Sequence, residues 1–435
     1  MQVLMGLPEN VLRSVLTAAN MSLPVQLSLL PRELHEVAVH TAYPSIVAER
    51  SIDIQSCVEL RGESVTALWP YLINVTSLML RETVFGCSMT YLGSRLGNLT
   101  SLQRLDLSGN RIGAWAARDF GPHLARLTSL LDINLGTNNL HDKGASALGP
   151  HLVRLTSLQH LYLMDNSIGD EGAKALGLCL ACLRSLEHLD LMDNRIGSKG
   201  VTSWGPHLTG LSKLLHLGLG ETRLHDKGDA AQGPQHISLV SLLDYMVYGE
   251  KIGVTGATQL SLHLASMTSL QSLDLTGDRI MAEGATALAP HLARLSSLQH
   301  LHLGSNHVGD KGVIELGSHL ASLSFLQYLD IGFNSIGDEG AKALATHLTC
   351  ITSLQHVDLG CNGIGNVGAT ALGSQLACLS SLQYLELCDN LIGDEGATAL
   401  FNHLTNQPTL RYVGLHGNHS NSVACIGHIL STSST

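Results

Sequence analysis

Three histidines, His300, His302 and His307, fall within the stretch SLQHLHLGSNHVGDKG at residues 297–312. Imidazoles at such short spacing suit a metal site or proton transfer. If the stretch is a strand, His300 and His302 share one side of it. Asp274 and Asp330, 28 residues to either side of His302, would then offer oxygen ligands. Cys179-x-x-Cys182 is a second candidate, for zinc or redox chemistry, yet no second CxxC completes four ligands. A glycine-rich phosphate loop, an H-E-x-x-H pair and a G-x-S-x-G elbow do not occur in the chain. Any chemistry must therefore come from residues that the fold brings together.

The elements that position these residues repeat. SLQRLDLSGN (101–110), SLQHLYLMDN (157–166), SLEHLDLMDN (185–194) and SLQYLELCDN (381–390) are copies of one pattern, whose first Leu recurs every 28 residues from Leu102 to Leu410, over twelve repeats. Such a period means a solenoid. Within LQHLYL (158–163), Leu161 and Leu163 alternate with His160 and Tyr162, which predicts a strand with one buried face. Across 168–183, Ala173, Leu176, Leu180 and Leu183 fall at helical spacing. Asp170 at the start of that helix, with Asp142, Asp310, Asp338 and Asp394 in the same column, is expected to cap it. The Asn closing each strand, such as Asn166 or Asn306, is expected to bond the turn backbone. His300, His302 and His307 thus become part of one unit in a repeated wall, and the histidine column His123, His151, His207, His263, His291, His319, His347 and His403 becomes a structural feature of the helix ends. No metal, cofactor or catalytic residue is expected.

The pattern L-x-x-L-x-L-x-x-N-x-I-x-x-x-G-x-x-x-L-x-x-x-L, carried by Leu158, Leu161, Leu163, Asn166, Ile168, Gly172, Leu176 and Leu180, resembles the ribonuclease-inhibitor-like class of leucine-rich repeats. The resemblance implies an α/β leucine-rich-repeat solenoid, a right-handed βα horseshoe with a parallel concave sheet and convex helices. The expected organisation is a small helical N-terminal module over 1–50, degenerate opening repeats over 51–99, twelve repeats over 100–418 and a C-terminal cap or tail over 419–435.

Side chains flanking the buried Leu of each strand would face the concave side. They place His160, His188, His216, His300, Tyr328, His356 and Tyr384 in one column. Tyr162, Asp190, Asp274, His302, Asp330, Asp358 and Glu386 stand in the next. An irregular repeat adds Asp244, Met246 and Tyr248. Tyr, His and Met are common binding anchors, and an acidic, aromatic face suits a basic protein segment. Copying by duplication would leave the same stripes without a binding role. Histidines stacked about 5 Å apart would repel when charged, by roughly 0.8 kcal/mol even in water, so partner binding is expected to change between pH 5 and 7.

LPENVLRSVL (7–16) and LSLLPRELHEVA (27–38) are two apolar helical stretches outside the repeat. Leu7, Pro8, Val11, Leu12, Leu27 and Leu29 resemble an F-box, and SIDIQSC (51–57) resembles the strand that follows one. The F-box resemblance implies docking to a Skp-type ubiquitin-ligase adaptor. A plain helical cap over the first repeat is the other reading. The formal net charge of −11 argues against nucleic acid and anionic membrane partners. An odd nine cysteines and the lack of a signal-peptide pattern fit a cytoplasmic, or nuclear, protein. The sequence is thus expected to encode a non-enzymatic protein-binding scaffold, specifically an F-box-like substrate receptor of a ubiquitin ligase. The alternatives are a ribonuclease-inhibitor-like binder or signalling scaffold and, more remotely, a GTPase-activating protein.

Overall fold

The structure, a computed structural model, describes residues 51–55 (backbone only), 75–82, 89–220 and 251–419. The expected module carrying Leu7, Pro8, Val11, Leu12, Leu27 and Leu29 lies outside these residues, as do Asp244, Met246 and Tyr248. Two compact units divide at His188/Leu189.

The first unit contains β1 (Ser51–Gln55), β2 (Ser77–Arg81), α1 (Met89–Leu96), β3 (Arg104–Asp106), α2 (Gly113–Leu124), β4 (Asp132–Asn134), α3 (His141–Leu152), β5 (His160–Tyr162) and α4 (Asp170–Leu180). Its strands β1 to β5 pair in chain order, all parallel. The unit boundary falls within β6 (His188–Asp190). The second unit continues with α5 (Ser198–Leu208), β7 (His216–Gly218), α6 (Gly253–Leu264), β8 (Ser272–Asp274), α7 (Met281–Leu292), β9 (His300–His302) and α8 (Gly309–Leu320). It ends with β10 (Tyr328–Asp330), α9 (Asp338–Leu348), β11 (His356–Asp358), α10 (Asn366–Leu376), β12 (Tyr384–Glu386), α11 (Asp394–Leu404) and β13 (Tyr412–Gly414). Strands β7 to β13 likewise pair in chain order and in parallel. Each unit is a β–α solenoid in which consecutive strands form one layer and consecutive helices the other.

Both periodicities read from the sequence appear. Leu161 and Leu301 are fully buried at the centres of their strands, between partly exposed neighbours. In α4 the buried stripe is Gly172, Ala173, Leu176, Gly177 and Leu180. With strands from β3 onward only three residues long, the ladder hydrogen bonds alone hold little. Each repeat is fixed mainly by its Leu layer, every buried Leu contributing about 1.5–3 kcal/mol.

The turn asparagines bind neighbouring repeats together. Asn306 donates from Nδ2 to the Leu303 carbonyl of its own repeat (3.0 Å) and to the Leu275 carbonyl of the preceding one (2.7 Å). Its own N–H and that of Val308 are accepted by Asn334 Oδ1, both at 3.1 Å, from the repeat that follows. Asn138 makes the same set in the first unit, with Leu107, Leu135 and Asn166. These bonds hold a tight turn: Ser305 and His307, on either side of Asn306, have φ of 57° and 54°, in the left-handed region that costs a non-glycine residue free energy.

Capping departs from expectation. Helix α4 starts at Asp170 itself, and its N-cap residue Gly169 has no side chain to offer. The acceptor comes from the preceding repeat instead: Asp142 Oδ1 takes the N–H groups of Gly169 (2.7 Å) and Gly172 (2.9 Å). Asp338 does the same for Gly365 and Gly368 (2.7 and 2.8 Å), and Asn366 for Gly393 and Gly396. A carboxylate on the first helical residue points sideways, towards the next helix, rather than over its own free amides. The motif glycine follows from this contact, because a Cβ on Gly368 would sit 2.7 Å from Asp338 Oδ1.

From β3 onward the described strands depart from the 28-residue step at one place. His216 of β7 lies in register with Ser272 of β8, two repeat lengths on, and α5 packs directly on α6. The expected order had Asp244 between them. The described strands leave no rung there, because the backbone of Leu215 already receives the N–H groups of Gln271 and Ser272.

Candidate functional site

Alternation in a strand puts its first and third residues on the outer face of the sheet layer, and the repeat stacks them in columns. In the first unit His160 and His188 stack with ring centroids 4.5 Å apart, and Tyr162 lies 6.4 Å from His160 with its ring plane within 3° of parallel. In the second unit the columns form an unbroken ladder. His302 meets Tyr328 at 4.7 Å, Tyr328 meets His356 at 4.4 Å, His356 meets Tyr384 at 5.4 Å, and Tyr384 meets Tyr412 at 6.2 Å. His300 joins from the side, 6.3 Å from Tyr328. Such offset contacts each add roughly 0.5–1.5 kcal/mol beyond area burial and hold the rings in place before anything binds.

The acidic column is less available than its sequence suggests. Each of these carboxylates accepts the backbone N–H two residues on: Asp190 from Met192, Asp274 from Thr276 and Asp330 from Gly332 at 2.9 Å, with Asp358 from Gly360 at 2.8 Å. Asx-type closure of the strand end therefore explains the acidic residues locally. Asp330 is only 7% exposed. Burial, then the neighbouring Asp358, pushes its carboxyl up to about 7. Burial also raises the Asp190 carboxyl and the Tyr328 phenol, and lowers the His356 imidazole against the opposing pull of Glu386. These shifts favour the uncharged forms of Tyr328 and His356 beside the Asp330 carboxyl. His216, with the step from β7 to β8, has Ser272 rather than Asp244 beside it.

The metal candidates raised by the sequence do not assemble as such. His302 Nδ1 lies 4.0 Å from Asp330 Oδ2, but among the described residues no third ligand-type side chain closes on that pair. Cys179 and Cys182 are free thiols, and Cys179 donates to its own helix at the Ala175 carbonyl. The helix-end histidines cover neighbouring helices: a Cβ on Gly317 would meet the His347 ring at 3.3 Å, and one on Gly205 the His263 ring at 2.6 Å. Among the described residues, three ligand-type side chains converge at one other place, Glu386, Cys388 and His416. The signal for it was present in the repeat register, where Cys388 and His416 are neighbours in a column otherwise filled mainly by Gly, Ser, Thr and Met.

A leucine-rich-repeat family model matches residues 98–114, 126–149, 154–177, 182–203, 294–317, 322–345, 350–373 and 378–401. The chain therefore carries leucine-rich repeats in tandem. The unmatched stretch between residues 203 and 294 contains the step from β7 to β8. Among solved structures, an internalin (InlF) from Listeria monocytogenes is similar, 22% identical over 88% of this chain and 85% of that one, with a TM-score of 0.53. That likeness shows the fold. A leucine-rich-repeat protein from Leptospira interrogans is 16% identical over 89% of this chain and 92% of its own, with a TM-score of 0.46. A comparison with curated proteins finds no match. No helix among the described residues is long and apolar enough to cross a membrane.

Proposed function

We propose that this chain is a non-catalytic protein-binding scaffold that holds a partner segment against the strand face of its repeats. The ladder from His302 through Tyr328, His356 and Tyr384 to Tyr412 carries this reading. Rings fixed by mutual stacking lose little freedom on binding, and Tyr384 is 38% exposed at the surface they form. The partner chemistry that fits is a segment with Arg and apolar side chains, which can lie on ring faces above the weakly acidic layer. In the first unit His160, Tyr162 and His188 support a similar contact; in the second Asp274, Asp358 and Glu386 stand in register with the ladder strands, and Asp190 and His216 lie on earlier strands. The 28-residue period with a helix in each regular repeat supports the ribonuclease-inhibitor-like subtype. Every described cysteine is a free thiol, which supports a reducing, cytoplasmic or nuclear compartment.

The more specific reading, a substrate receptor that docks a Skp-type adaptor through Leu7, Pro8, Val11, Leu12, Leu27 and Leu29, rests on the sequence resemblance. Crosslinked capture from the native cell with wild type and with Tyr328→Ala/His356→Ala/Tyr384→Ala tests both. The triple variant should keep its far-ultraviolet circular dichroism and lose the partner, while an adaptor, if bound at the N-terminus, stays. Undiminished partner capture by the folded variant removes the strand face from the function.

A further inference from the structure

The last two described strands end in a set of side chains unlike those of the other described repeats. At the column that follows the strand by two residues, Gly304, Gly332 and Gly360 stand in three successive repeats, and then Cys388 and His416 in the next two. Register stacks the pair: Cys388 Sγ lies 2.6 Å from His416 Nδ1. Glu386, at the end of β12, turns its Oε1 to Cys388 Sγ and to the Cys388 N–H. The donor atoms of Glu386, Cys388 and His416 all lie within 4.8 Å of one another. The Tyr412 phenol lies close enough to Glu386 and Cys388 to feel both, adding a fourth polar group near the same point. Space for the carboxylate comes from Gly414, where any Cβ would collide with it. Cys388 is 4% exposed, whereas His416 is open to solvent.

Two chemistries use a thiol beside an imidazole. An activated nucleophile needs a low thiol pKa and a carboxylate behind the imidazole. Here the carboxylate touches the sulfur instead. The remaining use is metal ligation. We propose that Glu386, Cys388 and His416 bind one divalent zinc-type ion, with one position left for water. Sulfur and nitrogen donors favour zinc over calcium or magnesium, which take oxygen ligands. Zinc would bring the sulfur and nitrogen to about 2.3 and 2.1 Å from itself, and so about 3.6 Å from each other. The exposed His416 ring supplies that movement. On binding, the sulfur–hydrogen bond breaks, the sulfur–metal bond forms, and the proton leaves to solvent. The ion would cross-link the last two rungs of the sheet.

The test is titration of the full-length, metal-stripped, reduced protein with Co²⁺. A thiolate-to-cobalt charge-transfer band and visible d–d bands should saturate at one equivalent and be removed by Zn²⁺. Cys388→Ser should abolish the charge-transfer band. His416→Ala, at an exposed position that leaves the fold intact, should weaken Zn²⁺ binding by about tenfold or more. Cys378→Ser, at an exposed thiol elsewhere, should leave both unchanged. No charge-transfer band in wild type, the same band in Cys388→Ser, or unchanged Zn²⁺ affinity in His416→Ala would each overturn the proposal.

Discussion

At the scale of single residues, Asp278 shows how one substitution alters the chemistry of a repeated position. It replaces the turn Asn and is almost fully buried, and its Oδ2 has no hydrogen-bond partner. An Asn here would donate to carbonyls of two repeats, as Asn306 does. A carboxylate cannot donate, but a carboxylic acid can. Burial drives the Asp278 carboxyl well above the usual range, with Lys251 opposing and Asp274 adding to the shift. The folded state therefore keeps a proton that the unfolded chain releases above pH about 4. Stability from this group is full at low pH and falls as pH rises. Asp278→Asn should stabilise the fold, by an amount that grows between pH 5 and pH 8, reaches roughly 1–2 kcal/mol and is read as a higher melting temperature. A variant less stable than wild type at both pH values would mean that the charge pairing with Lys251 matters more. The deviation at Asp278 is plain in the sequence; its protonation is not, because burial depth is set by both neighbouring repeats.

At the scale of elements, period and pattern were enough to place the described strands, helices and buried Leu of the repeats, since the chain states nearly the same hydrophobic layout again and again. The target of a side chain is another matter. Asp338 was read as a cap for its own helix, α9, and serves α10 instead. Spacing along one chain cannot distinguish these, because the neighbouring helix start lies a full repeat away in sequence and only a hydrogen bond away in space. Asp338→Ala should cost about 1–2 kcal/mol and speed amide hydrogen exchange at Gly365 and Gly368, not at the start of α9. Asp338→Asn should restore most of the protection, as Asn366 already caps Gly393. Faster exchange confined to α9 would refute the cross-repeat cap. The Glu386, Cys388 and His416 cluster escaped for the same reason: Cys388 and His416 are a repeat apart, and only the stacking register brings them together.

At the scale of the molecule, each unit is a one-dimensional stack, in which stability is close to a sum over repeats and their interfaces. The uniform 28-residue count suggested an uninterrupted series. Among the described strands, β7 pairs directly with β8 across two repeat lengths of sequence. Around it, Thr222, Glu250 and Asp278 stand where the sequence register expects the turn Asn. Removing residues 222–249 brings β7 and α6 to the spacing of an ordinary repeat. The shortened chain should fold with its circular dichroism per residue unchanged and its melting temperature within a few degrees of wild type. Loss of cooperative unfolding would show that those residues hold the second unit together.

The two cross-repeat bonds run in opposite senses along the chain. Asp and Asn at the helix starts serve the repeat that comes after, while the turn Asn completes the repeat that came before. A stack emerging from the ribosome is thus never symmetric at its growing end. Its newest helix is already capped, but its newest turn keeps two unanswered amides until another repeat arrives. Growth is templated forward and locked backward, like a ratchet, so synthesis from the N-terminus follows the order in which the bonds can close.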